Sequence, residues 1–343
     1  MFDGPLLLIL LAAFISMFVG DHLRESLRVL RTVILEPILF YVMLIDTVKR
    51  PASIMWCIIA LIVGGCLISL VAIAQWVSAS NVITAEGVIR SRGFYGSPNN
   101  LGLVLERTIP LAACGVIVFR DYRWWWAGAS ALMLVAVVLT FSWGAWFALG
   151  VSALFLGFVG GRRRAMVVLV SVISVMAALL LLAGPERLAS HLSLEQGTTF
   201  IRLRLWEASL LMLRDHPLFG VGLDNFLYLY RELYVFDDAI IDLELSHPHN
   251  IVLDYWLNLG ILGLFAGGWL LWRFFNVGWR SYNYLPETSR RALVLGLLAS
   301  MIAAFTHGLV DNFFFLVDLA VLFWFMCAMM HTLSGKNEGM EWI

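Results

Sequence analysis

Four consecutive residues, His247-Pro248-His249-Asn250, stand where a long hydrophilic segment gives way to an apolar run. An imidazole accepts or donates a proton near neutral pH, so His249 is a candidate acid or base. The alternative is that His249 only caps the first turn of the helix that follows, with Asn250 as N-cap. Two rings one residue apart can also present their nitrogens to a metal. Asp237, Asp238, Asp242 and Glu244 lie nearby, but no His or Cys group completes a zinc set, so no metal is expected. After a nine-residue gap come Gly260 and then Gly263. On a continuous helix His249 sits about 16 Å above Gly260, near the mouth of the span. Trp256, Gly260, Gly263 and Gly267 share one stripe, where small residues allow close helix approach. The glycines, and His247 beside the reactive ring, are therefore read as supporting residues.

The hydrophilic segment, residues 185–250, holds ten acidic residues, five arginines and no lysine. A polyanion-binding surface is excluded by that balance, so a phosphate contact must be local and made by named arginines. Arg202 and Arg204 are the candidates, with Arg92 from a second hydrophilic segment, 77–98. Leu203, Trp206, Leu210 and Leu213 recur at helical spacing opposite Arg202, Arg204 and Glu207. They predict an interfacial helix, apolar side down, that His216-Pro217 stops. Gly220 and Gly222 permit a tight turn, and Phe226 to Tyr234 forms a second aromatic, interfacial stretch. Charges inside apolar runs cost a few kcal/mol each, and Glu106 with Arg107 is one such case. As neighbours on a helix they point to different sides, so Arg107 faces an internal cavity, as a further candidate contact to a diphosphate beside Arg92, or an ion-pair partner elsewhere. His307 and Asp311, four apart, can meet, and with Asp318 they read as structural polar glue.

A bundle of membrane helices must position these residues. Apolar residues make up 61% of the 343, charged residues 14%, against about 25% charged in a soluble domain. Hydropathy predicts an all-α polytopic bundle, a single membrane domain over 1–343 with about ten spans. They fall near 5–20, 33–48, 53–76, 99–119, 124–142, 144–160, 165–184, 251–272, 291–310 and 313–332. Lys49-Arg50, Arg120 and Arg123, Arg162-Arg163-Arg164, and Arg273 to Arg291 share one side by parity, which should be cytoplasmic. Arg24, Arg28 and Arg31 fall on the other side against the rule. The 185–250 loop is then extracytoplasmic. A net charge of −1 gives no basic field for nucleic acid. Cys57, Cys66, Cys114 and Cys327 all lie in apolar runs and read as packing residues. The first run follows Asp3 without a basic region, so it reads as a span and not a cleaved signal.

Several of these motifs together resemble the bacterial O-antigen ligase and polymerase superfamily. They are His249-Asn250 with the nine-residue gap to Gly260 and Gly263; Arg202 and Trp206 with Asp215-His216-Pro217-Leu218-Phe219-Gly220-Val221-Gly222 and Phe226; and Arg92-Gly93-Phe94-Tyr95-Gly96-Ser97-Pro98-Asn99. The likeness spans roughly residues 80–315. Family members often carry Ser-Arg-Gly at the outer end of a span, where this chain has Ser142-Trp143-Gly144, and its amino terminus begins near what resembles a later family span. The resemblance implies a membrane glycosyltransferase of the GT-C class, using no metal or nucleotide. Its donor would be a glycan on undecaprenyl diphosphate, its acceptor a sugar hydroxyl of a glycan or glycolipid, and its home the bacterial cytoplasmic membrane. The His matching His249 would be catalytic or would position the acceptor, and loop arginines would bind the diphosphate. A transporter or flippase is the rival reading, since many spans and intramembrane charges suit it too. Transporters often show inverted repeats and broken helices in matching halves, and no repeat stands out in this sequence.

Overall fold

The computed structural model describes residues 1–85, 87–184, 189, 193–195, 197–239, 245–286 and 289–335. Asp242 and Glu244 lie outside the described residues, as do other parts of the 185–250 loop. Among the described residues the regular structure is helical apart from one small hairpin. In order come α1 (Asp3–Ser16), α2 (Leu23–Val29) running through a π turn into α3 (Glu36–Thr47), α4 (Pro51–Ser78), α5 (Pro98–Val118), α6 (Arg123–Thr140), α7 (Trp143–Val159) and α8 (Arg162–Ala183). The second half has α9 (Gly197–Asp215), α10 (Phe226–Leu229), α11 (Ile251–Tyr284), α12 (Ser289–Gly308) and α13 (Val317–Ser334). Among the described residues, seven helices are long and apolar enough to cross a membrane, and α1 and α7 are shorter apolar helices. The hairpin, β1 (Ile83–Ala85) and β2 (Val88–Arg90), pairs Ile83 with Arg90 and Ala85 with Val88. Two compact units divide the chain.

The first unit comprises Met1–Leu44, His191–Asn276 and Gly308–Ala328. Its helix from Leu23 starts ten residues before the expected span at 33, because Arg24, Glu25, Arg28 and Arg31 are helix formers that hydropathy does not count. Arg28 pairs with Asp224 at 2.7 Å and Arg31 with Glu36 at 3.2 Å. Those carboxylates neutralise two of the arginines that break the charge rule. The helix expected at the interface is α9, and of its expected apolar stripe only Leu213 joins the buried core, which is otherwise made by a neighbouring face. Leu205, Ala208 and Met212 pack on Phe226, Tyr230 and Leu257, while Leu203 and Leu210 point outward. The helix carries two apolar stripes, and the aromatic stretch 226–234 covers the one with the smaller side chains.

α11 is broken at Gly260, whose φ is +67°. A continuous helix would bond the Ile261 N–H to the Leu257 carbonyl. Instead the Ile261 N–H donates to the Leu218 carbonyl at 3.0 Å, and the Val221 N–H donates to the Leu257 carbonyl at 2.9 Å. The loop segment 218–221 is thus spliced into one opened helical bond. The Ser16 hydroxyl donates to the Asn258 carbonyl, and Trp256 Nε1 donates to the Pro217 carbonyl at 2.8 Å. Unpaired backbone is costly at membrane depth, so a break of this kind needs such partners. Gly260 therefore opens the helix to the loop, a part that its reading as a helix-packing glycine did not include. A Cβ on Gly263 would fall on the Leu259 side chain of the same helix, and one on Gly267 would meet the Tyr255 ring.

The second unit comprises Ile45–Ser190, Val277–His307 and Met329–Ile343. α5 is its buried centre, started by Pro98 and capped by the Ser97 hydroxyl, which accepts from the Asn99 N–H at 3.2 Å. Both Glu106 and Arg107 are fully buried on it. Glu106 pairs with His307, whose Nδ1 donates to Oε2 at 2.7 Å. A Cβ on Gly144 would come within 2.3 Å of that ring, so the glycine of Ser142-Trp143-Gly144 makes room for His307. This overturns the expected trio of His307, Asp311 and Asp318. α12 ends at Gly308, so Asp311 has left the helical register that would have put it beside His307. Asp318 is exposed in the first turn of α13.

Candidate active site

The site lies in the first unit, where residues 245–250 close the long loop and 309–316 link α12 to α13. Asn250 is the N-cap of α11: its Oδ1 accepts from the N–H groups of Val252 at 3.0 Å and Leu253 at 3.2 Å. Its Nδ2 donates to the Leu309 carbonyl at 3.1 Å, tying the two connectors together. Because Asn250 caps the helix, His249 is released from that duty. His249 has φ +50°, a left-handed conformation that costs an ordinary residue about 1–2 kcal/mol. The turn aims its ring at Asp311, and Nδ1 lies 3.0 Å from Oδ1.

Asp311 is only 3% exposed, and a buried carboxylate must be paired. Three groups do so. Beside His249, the Asn312 N–H donates to Oδ1 at 2.8 Å, and Arg202 Nη2 approaches Oδ2 at 3.5 Å. The Asn312 side chain in turn accepts from the Phe314 N–H at 2.9 Å, holding the turn in shape. An ionised carboxylate can only accept, so His249 donates through Nδ1 and its Nε2 is left as the acceptor. That is the tautomer a general base needs. Sequence reasoning assigned Asp311 to structural glue. The available signal was Asp311-Asn312 just beyond an apolar run, a pair whose side chains build turns.

His247 packs its ring 4.2 Å from that of His249, and its Nε2 stands 3.9 Å from Asp311 Oδ1. One ligand atom each from His247, His249 and Asp311 falls within 4.8 Å of the others, a grouping that could hold a metal ion. The expected arginines separate. Arg204 is engaged by Asp238 at 3.1 Å and Glu207 at 2.7 Å, and sits over the rings of Phe200 and Phe236. Those two carboxylates hold its guanidinium above the usual arginine range. Arg202, two residues away, points instead to Asp311. Arg92 and Arg107 belong to the second unit, where Arg92 donates to the Asn81 backbone and side-chain oxygens.

A polytopic helical membrane protein whose long loop brings a His and an Arg to an Asp on the connector between its last two helices is the class defined by fold and site. Residues 128–267 match the family described as O-Antigen ligase, a stretch that takes in α9, the capped His249 turn and the Gly260 break. The match supports the superfamily that the loop motifs resemble, and with it a glycan ligase or polymerase role. No curated protein matches the chain.

Proposed function

We propose that this protein transfers a glycan from undecaprenyl diphosphate to an acceptor hydroxyl on the extracytoplasmic face of the bacterial cytoplasmic membrane, without a metal. What carries the reading is the meeting of His249 and Arg202 on one carboxylate, Asp311, together with the family match. The acceptor hydroxyl gives its proton to His249 Nε2 as its oxygen bonds to the anomeric carbon. The bond from that carbon to the diphosphate oxygen breaks, with inversion if displacement is a single step. The departing diphosphate gains negative charge, which Arg202 stabilises in this reading. Asp311 is a positioning residue: it holds the His249 tautomer and steadies the imidazolium that forms.

The reading is tested with purified protein, lipid-linked glycan and acceptor. His249→Ala should lose about 10²–10⁴-fold in rate, the usual worth of a general base, at normal membrane abundance. EDTA should leave the wild-type rate in place. Transfer by His249→Ala at the wild-type rate, or activity abolished by EDTA and restored by zinc, would sink this mechanism. The glycan profile of a deletion strain separates two outcomes within it. Accumulated single repeat units mean a polymerase, and full-length chains left on the carrier mean a ligase.

A further inference from the structure

His247 has no part in the transfer just described, yet it is the more unusual of the two histidines. Its Nε2 is buried and has no hydrogen-bond partner, although a carboxylate oxygen lies 3.9 Å away. A buried nitrogen left in that state costs free energy unless something else occupies it. Its other nitrogen, Nδ1, is 3.4 Å from the Ser246 hydroxyl, the kind of outer contact that orients a metal-ligating imidazole.

We propose that His247 Nε2, His249 Nδ1 and Asp311 Oδ1 bind a single divalent transition-metal cation, zinc above all, and that the bound ion switches transfer off. Two imidazoles and one carboxylate, with a water in the fourth position, are a donor set that zinc accepts. With Zn–ligand bonds of about 2.0–2.2 Å, the donors of a tetrahedral site lie roughly 3.3–3.5 Å apart. Two of the three separations, 3.0 Å for His249 to Asp311 and 3.9 Å for His247 to Asp311, bracket that value, and all three lie within 4.8 Å. Arg202 approaches the other carboxylate oxygen, so each cation has its own oxygen. Its positive charge works against the ion and keeps binding reversible. Inhibition follows from proton placement. Zinc on Nδ1 takes the position of the Nδ1 proton, which moves to Nε2, and the ring then has no lone pair for the acceptor's proton.

Metal-free protein in detergent is titrated with zinc by calorimetry, and the zinc-loaded sample is examined by zinc K-edge absorption. One zinc per chain is expected, with imidazole scattering and nitrogen or oxygen neighbours at about 2.0–2.1 Å. His247→Ala should weaken binding by tenfold or more. Absence of stoichiometric binding, or His247→Ala binding like the wild type, would overturn the site. The inhibitory half rests on the proposed transfer reaction and has its own readout. The wild-type rate should fall with the same zinc midpoint as binding and return with EDTA. His247→Ala, compared with its own zinc-free rate, should need at least tenfold more zinc. An undiminished rate at saturating zinc would overturn the inhibition. The binding measurements use no glycan, so a protein that binds zinc in this way but transfers nothing keeps the site and loses the function proposed above.

Discussion

Gly220 and Gly260 stand on two segments that meet backbone to backbone, each in the space a side chain would need. A Cβ on Gly220 would lie 2.3 Å from the Leu257 carbonyl oxygen, and one on Gly260 would lie 2.5 Å from that of Leu218. Both have φ +67°. The loop that brings Arg202 and the helix that His249 precedes are joined at this point.

Gly260→Ala should therefore lower the melting temperature of the detergent-solubilised protein. Its positive φ with extended ψ is a region open essentially to glycine, which costs another residue about 1–3 kcal/mol, and a clash against backbone cannot be relieved by turning a side chain. Gly268→Ala, where an added Cβ meets nothing within 4 Å, is the control and should melt like the wild type. Equal melting of the two variants would show that the spliced helix does not need its glycine.

Arginine-to-lysine exchange separates the two loop cations. A guanidinium can grip a diphosphate with two parallel hydrogen bonds and a lysine cannot. Charged hydrogen bonds are worth about 1.5–3 kcal/mol, so Arg202→Lys should lower the transfer rate roughly 10- to 100-fold at normal abundance. Arg204→Lys should change transfer less, since Arg204 is spent on Asp238, Glu207 and two aromatic rings. Full activity in both variants would remove the pair from the donor site and direct attention to Arg92 and Arg107.

The face of the membrane on which the loop lies is a matter for thiol labelling. A cysteine at the exposed Glu195 should react with an impermeant maleimide in intact cells, and a cysteine at the exposed Arg163 only after lysis. The opposite pattern would reverse the orientation and put the site on the cytoplasmic side.

The sequence by itself determined the helical membrane class, because apolar runs of this length admit little else. It also brought out His249 and Arg202, since a reactive imidazole at a span end and arginines in an otherwise acidic loop are rare enough to be noticed. What it could not decide was which groups meet. His307 and Asp311 are four apart, and that spacing pairs them only on an unbroken helix. The helix stops at Gly308, so Asp311 turns to His249 and His307 to Glu106, a residue 201 positions away in the chain. In the same way α9 offers two apolar stripes, and only packing against Phe226 and Tyr230 selects one. Gly260 reads as a small residue among small residues until the loop is seen inserted at its break. Local propensity is written along the chain, but each of these pairings is set by which distant backbone or carboxylate fills a buried space. Only the tertiary structure supplies that partner.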